Sequence, residues 1–117
     1  MTSDLILALD QGTTSSRAAL VDIAGRRIAE RQLPHRQHHP QPGQVEHDPL
    51  ELLEAVAACA REVLSEVDGD RVAGVGITNQ RETIVVWDRA TGIPIANAIV
   101  WQYADWLRAV ERARGWA

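Results

Sequence analysis

The sequence predicts an α/β fold built on one mixed sheet, and the order of its elements carries that prediction. Two β-hairpins come first, between Leu5 and Leu33. An amphipathic helix follows, and after the helix comes another apolar strand. A helix that links the hairpins to a later strand is a crossover, so the sheet should combine antiparallel hairpins with a parallel neighbour.

The first three strands are short and closely spaced. Leu5–Leu9 is a continuous apolar run, which is typical of a strand buried on both faces. Ser16–Val21 and Arg27–Leu33 follow, and the residues Asp22–Arg26 between them have turn chemistry. Pro34–Asp48 is rich in proline and histidine, so we expect an irregular surface loop with extended character.

Asp48 and Pro49 begin a helix. An Asp side chain can cap the free backbone amides of the first turn, and proline at the first helical position loses no hydrogen bond. We expect the helix to run from Pro49 to about Val67. Its core face is predicted from three- and four-residue spacing, with Cys59 outside that face, and it comprises Leu53, Val56, Ala57, Ala60, Val63, Leu64 and Val67.

Further strands and a last helix complete the expected element order. They are predicted at Arg71–Thr78, Thr83–Asp88 and Ile93–Val100, with a turn at Arg89–Gly92 and a helix over Ala104–Arg114. Trp87 and Trp101 fall in the strand-like runs. Because large aromatic side chains serve mostly in packing, both are interpreted at this point as core residues.

Composition narrows the classes of function. The chain has 117 residues, 12 Lys+Arg, 16 Asp+Glu and a formal net charge of -4. That length supports one core but not a complete two-lobed enzyme, and the lack of a basic excess argues against nucleic-acid binding. No apolar run approaches the roughly 20 residues that span a bilayer, and the N-terminus lacks the basic region of a secretory signal. With Cys59 as its one cysteine, we expect a cytoplasmic protein.

Two common nucleotide-binding motifs are excluded. Gly74-Val75-Gly76 lacks the third glycine of the dinucleotide fingerprint, because Asn79 stands at that position. No G-x-x-x-x-G-K-[ST] string occurs in the chain, so the phosphate loop of that class is absent.

The first candidate site is the string Asp10–Arg17 between two strands that should pair. Gly12 would let a ligand approach the backbone, turn amides can bind anions, and Thr13, Thr14 and Ser15 add hydroxyl donors for phosphate oxygens. The Asp10 carboxylate suits a hydrated Mg²⁺, and Arg17 suits a phosphate charge. A plain hairpin turn uses the same residue types, so that alternative stays open.

The second candidate is the polar string Gly76–Thr83 at the end of a predicted strand. Adjacent Arg81 and Glu82 can donate to and accept from neighbouring hydroxyls of a polyol, and the alternative is a solvated surface turn. The histidines His35, His38, His39 and His47 have no cysteine or fixed carboxylate partner, so we interpret them as loop residues and predict no metal site there.

Four strings together resemble one known family. They are Leu7–Arg17, Pro42–Pro49, Gly76–Thr83 and Asn97–Gln102, and they resemble the N-terminal region of the FGGY carbohydrate kinases in order and spacing. Within that family the string Thr-Asn-Gln-Arg-Glu-Thr is similar to glycerol-phosphorylating members rather than to xylulokinase-like ones. The resemblance implies the ribonuclease H-like fold of the actin and hexokinase superfamily, with residues 1–117 as an incomplete first lobe.

The same resemblance implies an ATP- and Mg²⁺-dependent transfer of phosphate to glycerol, giving glycerol 3-phosphate. By position, Gly12, Thr13, Thr14, Ser15 and Arg17 match the family's ATP phosphate contacts, and Asp10 matches the acidic residue at the metal. Arg81 and Glu82 match the residues that hold glycerol hydroxyls. Trp101 matches an aromatic that packs on the glycerol carbon chain, which favours a substrate role over the core role given above.

Two departures from the family pattern shape the functional expectation. Tyr103–Trp106 stands where the family continues with Arg-Arg-Thr, and the chain stops at Ala117, before the aspartate that serves as base and before the second lobe. We therefore expect little kinase activity from these 117 residues alone. Three alternatives stay open: a non-catalytic nucleotide- or polyol-binding module, a fragment that self-associates or pairs with a chain carrying the missing lobe, and a decayed gene product.

Overall fold

The computed structural model describes residues 2–102, 111, 112 and 115. The chain divides into two compact units, one made of Met1–His35 and Leu52–Asn79 and the other of Arg36–Glu51 and Gln80–Ala117. Among the described residues, no helix has the length and apolar character needed to cross a membrane.

The first unit contains a four-stranded mixed sheet. Strands β1 (Leu5–Gln11), β2 (Ser15–Asp22), β3 (Arg27–Pro34) and β5 (Val72–Asn79) lie in the order β3-β2-β1-β5, with β1 antiparallel to β2 and parallel to β5. Helix α1 (Pro49–Leu64) and a 3-10 helix (Gly69–Arg71) precede β5 in the chain. The predicted hairpins, crossover helix and mixed sheet are therefore confirmed.

The β2–β3 turn illustrates how local chemistry forms these hairpins. The Asp22 carboxylate accepts hydrogen bonds from the backbone amides of Ala24 and Arg26, both at 2.9 Å. Gly25 has φ 80°, a left-handed conformation that glycine adopts without steric cost. Together they reverse the chain within a few residues.

The core of the first unit lies between one face of the sheet and α1. Its buried cluster consists of Leu7, Ala18, Leu20, Ala29, Cys59 and Val63. Full burial of a side chain such as Leu20, which is 0% exposed, contributes about 1.5–3 kcal/mol. The apolar side chains of β5 are not covered in the same way, since Val75 is 58% and Ile77 75% exposed.

The face of α1 that enters the core differs from the predicted one. The buried helix residues are Leu52, Ala55, Cys59 and Val63. Leu53, predicted to be buried, is 64% exposed, and Cys59, predicted to lie off the core face, is fully buried. Apolar residues occupy a wide arc of this helix, so spacing alone does not determine which part of the arc meets the sheet.

The described residues of the second unit form a short ladder. Strand β4 (Glu46–His47) pairs antiparallel with β6 (Ala98–Ile99), and isolated bridges join His38 to Glu46 and Ile84 to Ile99. The strands predicted over Thr83–Asp88 and Ile93–Val100 are thus mostly wrong, and the predicted loop Pro34–Asp48 contains β4.

The turn predicted between those two segments does form. The Asp88 amide donates to the Ile93 carbonyl at 2.8 Å, and Gly92 adopts φ 73°. The helix predicted over Ala104–Arg114 lies outside the described residues except for Glu111 and Arg112, and the altered segment Tyr103–Trp106 lies wholly outside them.

Candidate functional site

The β1–β2 turn is tight and depends on a glycine. The Gly12 amide donates to the Ser15 carbonyl at 2.9 Å. A Cβ on residue 12 would lie only 2.9 Å from that same carbonyl oxygen, which is closer than real Cβ atoms approach. The turn therefore brings the backbone of residues 12–15 together in a way that only glycine at position 12 permits.

Hydrogen bonds from β3 and from the residue that follows it fix the hydroxyl-bearing residues of this turn. The Gln32 amide donates to the Ser15 hydroxyl at 2.7 Å, and the His35 backbone amide donates to the Thr14 carbonyl at 2.9 Å. Thr14 is exposed, while Thr13 and Ser15 are half-buried. Exposed hydroxyls on a fixed turn are suited to donate to phosphate oxygens.

Beneath the turn lies a buried polar pair that the sequence did not reveal. Ser16 is fully buried, and its hydroxyl lies 2.8 Å from Nε2 of His35, which is 8% exposed. Cys59 donates to the Ser16 carbonyl at 3.7 Å. Burial raises the pKa of the Cys59 thiol and the charge of Glu62 raises it further, so this thiol stays protonated and belongs to the core.

Asp10 lies at the end of β1 and is suited to hold a metal. It pairs with Arg17 on β2 and with Thr78 on β5, so the three side chains share one face of the sheet. Its Oδ1 lies 3.9 Å from where a Cβ of Gly12 would stand, so the carboxylate lies beside the turn. Mg²⁺ commonly uses one or two carboxylates together with water and substrate phosphates, and this single exposed carboxylate fits that pattern.

In the part of the chain that the structure describes, no protein-only metal centre accompanies Asp10. Within the described residues, no group of three or more His, Cys, Asp or Glu side chains is placed to hold a metal ion. A cation at Asp10 would accordingly depend on phosphate oxygens and water for most of its ligands.

Arg17 is already bonded to its neighbours on β3. Its guanidinium donates to Gln32 Oε1 at 3.1 Å, and its Nε lies 3.0 Å from Glu30 Oε1. These partners follow from the register, in which Arg17 stands opposite Gln32. The sequence suggested a phosphate contact for Arg17 but not these partners, and its side chain remains 41% exposed.

In the second unit, Arg81 and Glu82 form an exposed turn with an uncommon backbone. Glu82 has φ 61°, in the left-handed region that side chains other than glycine seldom adopt. The flanking residues are joined across the turn, because the Thr83 hydroxyl donates to Gln80 Oε1 at 3.0 Å. Strained backbone of this kind concentrates at functional sites, although it does not by itself define one.

The turn rests on a buried imidazole. His47 is fully buried and Gln80 is 8% exposed, and Gln80 Nε2 lies 3.1 Å from His47 Nδ1. The other imidazole nitrogen, Nε2, lies 2.7 Å from Gln37 Oε1. Both His47 and His35 are therefore buried and hydrogen-bonded. His35 lies in a loop as predicted, whereas His47 lies in β4 and its interpretation as a loop histidine is wrong.

Trp101 is joined to the same turn. Its backbone amide donates to the Thr83 hydroxyl at 3.4 Å, and its side chain is 47% exposed. The core role predicted for Trp87 and Trp101 is wrong, because neither side chain is buried: Trp101 is about half exposed and Trp87 is 59% exposed. The half-exposed indole of Trp101 fits the substrate role that the resemblance implies for it.

The structure thus forms two groups of candidate residues, one in each unit. Asp10, Gly12, Thr13, Thr14, Ser15 and Arg17 belong to the first unit, and Arg81, Glu82 and Trp101 belong to the second. The supporting roles of five residues were not predicted from the sequence: Ser16, His35, His47, Gln80 and Thr83. For Gln80 and Thr83 a signal was present, because they flank the candidate pair directly.

Comparison with known proteins shows the family of this chain. Residues 5–114 match the N-terminal domain of the FGGY family of carbohydrate kinases, and the chain belongs to that family. The predicted fold class, a mixed α/β sheet of the actin and hexokinase type, is confirmed by the solved structures it resembles.

The similar proteins include glycerol kinases. The chain is 59% identical over 104 residues to the glycerol kinase of Stenotrophomonas maltophilia (strain K279a). The matched region covers 87% of this chain and 21% of that protein. It is 55% identical over 117 residues to the glycerol kinase of Paraburkholderia phymatum (strain DSM 17167 / CIP 108236 / LMG 21445 / STM815), covering 93% and 23% of the two chains.

A crystal structure gives the same relationship. Plasmodium falciparum glycerol kinase with ADP superimposes with a TM-score of 0.80 at 34% identity, over 97% of this chain and 23% of that one. The chain spans about a fifth of the length of the curated relatives that it matches, at 21% and 23%.

Proposed function

We propose that this chain supplies the nucleotide-phosphate subsite and the polyol subsite of an ATP-dependent kinase that phosphorylates glycerol. One observation carries the proposal: the hydroxyl-bearing turn and the Arg81–Glu82 turn, each ordered by its own hydrogen bonds, lie in a chain 59% identical to a glycerol kinase. On this proposal, residues 1–117 form the N-terminal part of the first domain of a cytoplasmic enzyme.

The reaction transfers the γ-phosphoryl group of ATP to a terminal hydroxyl of glycerol. The hydroxyl oxygen forms a bond to the γ-phosphorus, the bond to the bridging oxygen of ADP breaks, and the hydroxyl proton passes to a base. Such chemistry depends mostly on positioning and on stabilisation of charge. The residues assigned here position the two reactants, and we assign none of them as the base.

In the phosphate subsite, the tight turn at Gly12 would let phosphate oxygens approach the backbone. Thr13, Thr14 and Ser15 would donate hydroxyl hydrogen bonds to those oxygens. Asp10 would hold a Mg²⁺ that neutralises phosphate charge. Arg17 would contribute its positive charge while sharing its guanidinium with Glu30.

In the polyol subsite, the two charged side chains complement the hydroxyls of glycerol. The Arg81 guanidinium offers only donors and the Glu82 carboxylate only acceptors, so together they suit hydroxyl groups that do both. Trp101 would cover the carbon chain with its half-exposed indole.

The test measures binding and turnover separately. Glycerol 3-phosphate and ADP formation, and all kinetic constants, are measured with ATP, Mg²⁺ and glycerol on the kinase whose N-terminal part, on this proposal, is residues 1–117. Backbone NMR signals of the 117-residue chain are followed during separate titrations with Mg·ATP and glycerol. We expect Thr13–Ser15 to respond to Mg·ATP, and Arg81, Glu82 and Trp101 to respond to glycerol. A stronger response to xylulose than to glycerol, or tight Mg·ATP binding without any glycerol response, would overturn the proposal.

A matched pair of variants sharpens the test. Arg81→Gln should raise the KM for glycerol at least about tenfold, because a charged hydrogen bond is lost, and leave the KM for ATP nearly unchanged. Arg89→Gln removes an exposed guanidinium from the other turn of the same unit and should change neither constant. Equal effects of the two substitutions would show that Arg81 has no special part in binding.

A second candidate function, pairing with another chain, is favoured by the state of β5. That strand is at an edge of the four-stranded sheet among the described residues, and Ile77 on it is 75% exposed. Exposed apolar edge strands tend to pair with further strands. Sedimentation over a range of concentrations tests this candidate: association that Ile77→Lys abolishes would support it, and a monomer at every concentration would exclude self-pairing.

A further inference from the structure

The Arg81–Glu82 turn is supported by a continuous chain of polar side chains. It runs from Gln37 through His47 and Gln80 to Thr83, with heavy-atom distances of 2.7, 3.1 and 3.0 Å. His47 and Gln80 are buried, and buried polar groups destabilise a fold unless they are hydrogen-bonded. Such a chain fixes the side chains that it joins in one arrangement.

The hydrogen bonds along this series of side chains all run in one direction, from Thr83 towards Gln37. The Thr83 hydroxyl donates to Gln80 Oε1, so the Gln80 amide group faces His47 with its Nε2 and donates to Nδ1. His47 then carries its proton on Nε2 and donates to Gln37 Oε1. With the Gln80 amide turned over, its Nε2 would face the Thr83 hydroxyl and its Oε1 would face Nδ1, which would require the other tautomer of His47.

The Thr83 hydroxyl also connects this series of side chains to Trp101. It accepts the backbone amide of Trp101 at 3.4 Å, so one oxygen joins the end of the turn to the backbone of Trp101. The left-handed conformation of Glu82 lies between the two bonded residues Gln80 and Thr83. A conformation that is locally unfavourable persists only where its surroundings hold it.

We propose that His47, Gln80 and Thr83 are positioning residues that set the spacing between the Arg81–Glu82 turn and Trp101, and thereby the affinity for a small polyol. They touch no reacting atom; they act through the residues that do. This inference rests on the proposed function for its substrate, whereas the ordering of the turn can be tested without any substrate.

The variants Thr83→Val and Thr83→Ser separate hydrogen bonding from packing. Valine keeps the shape of threonine but removes the hydroxyl, and serine keeps the hydroxyl. We expect Thr83→Val to raise the KM for glycerol about tenfold with little change in kcat or in the KM for ATP, because it loses the 3.0 Å bond to Gln80 and the longer, weaker one from Trp101. Thr83→Ser should retain most of the affinity.

The control is Thr91→Val, the same substitution in the other turn of this unit. The Thr91 hydroxyl donates to Asp88 at 3.0 Å, so this variant also loses a side-chain hydrogen bond. It should leave the KM for glycerol unchanged. If Thr91→Val and Thr83→Val raise it equally, or if neither does, the positioning role is overturned.

A second variant tests the imidazole. His47→Asn offers an amide oxygen near the position of Nδ1 and can still accept from Gln80, whereas His47→Leu cannot. We expect the KM for glycerol to rise in His47→Leu and to be largely restored in His47→Asn. The same KM in both variants, whether raised or not, would contradict the proposed hydrogen bond as the cause.

Amide hydrogen exchange distinguishes failure of this inference from failure of the proposed function. If the wild-type protein neither binds nor phosphorylates glycerol, the proposed function falls. The ordering role is then decided by the Trp101 amide: faster exchange in Thr83→Val but not in Thr83→Ser supports it, and unchanged exchange in both overturns it.

Discussion

Gly12 illustrates how a single residue controls the geometry of a candidate site. Its amide closes the turn to Ser15, and there is no room for a Cβ beside the Ser15 carbonyl. Any other residue would open the turn and move Thr13 and Thr14 with it. The hydroxyls that we assign to phosphate binding therefore depend on a residue that contributes no side chain.

We expect Gly12→Ala to destabilise the protein by about 1–3 kcal/mol, as is usual when an atom is forced into an occupied space. It should also weaken Mg·ATP binding, because the displaced turn no longer presents its hydroxyls together. Urea denaturation and ATP titration measure the two effects. Gly76→Ala is the control, since a Cβ there meets nothing within 4 Å; equal effects at both positions would contradict the steric explanation.

Single residues also show where sequence reasoning ends. The types and spacing of Asp10, Gly12 and Arg81 were enough to single them out, because the chemistry of phosphates and hydroxyls restricts residue type. The burial of His47 was not predictable, because it depends on Gln37 and Gln80, which lie elsewhere in the sequence. Likewise, the partners of Arg17 became evident only with the strand register.

At the scale of elements, α1 shows that helix existence and helix orientation are separate problems. The start at Pro49 was predicted from capping chemistry alone, and the Asp48 carboxylate does accept from the Leu50 amide at 2.9 Å. The buried face was predicted wrongly at Leu53 and Cys59. Local chemistry determines an end of a helix, whereas tertiary packing selects its buried face.

The cap on α1 can be tested directly. Asp48→Ala should lower the free energy of unfolding by about 1 kcal/mol, because the Leu50 amide loses its acceptor. Asp48→Asn keeps an acceptor oxygen and should lose much less. Urea denaturation of the three proteins checks this, and a loss in Asp48→Asn as large as in Asp48→Ala would show that charge rather than capping is responsible.

The strands predicted after β5 are mostly wrong, and tertiary packing is again the reason. Thr83–Asp88 has the β-branched composition of a strand, but its backbone makes only isolated bridges, at Ile84 and Trp87. Strand formation needs a partner of matching length, and β6 provides only Ala98 and Ile99. Composition predicted extended backbone but could not predict the extent of the pairing.

At the scale of the whole molecule, electrostatics should make stability depend on pH in the acid range. Hydrogen bonding to Arg71 lowers the pKa of Asp4 below its ordinary value of 3.8, and the two side chains lie 2.7 Å apart. A carboxyl whose pKa is lower in the folded state stabilises the fold while it is ionised. Its contribution is complete above the ordinary pKa and is lost as the pH falls through the lowered one.

The measurement compares unfolding free energies of the wild type and Asp4→Asn from about pH 7 to pH 2. We expect the wild type to be more stable near neutral pH, and the difference to be constant down to about pH 5 and to shrink below about pH 4. Arg71→Gln should give the same pattern, since it removes the other partner. A difference that stays constant down to the lowest pH would contradict this assignment.

The parallel pairing of β1 with β5 has a consequence for biosynthesis. On the ribosome, β1, β2 and β3 emerge first and can form their hairpins at once, because each pairs with its neighbour in the chain. The other edge of β1 must wait until Val72–Asn79 has left the exit tunnel, a delay of a few seconds at about 5–20 residues per second. During that interval the nascent chain exposes the unpaired edge of β1, the strand that contains Ile6 and Leu7, and an exposed edge of this kind is what chaperones bind.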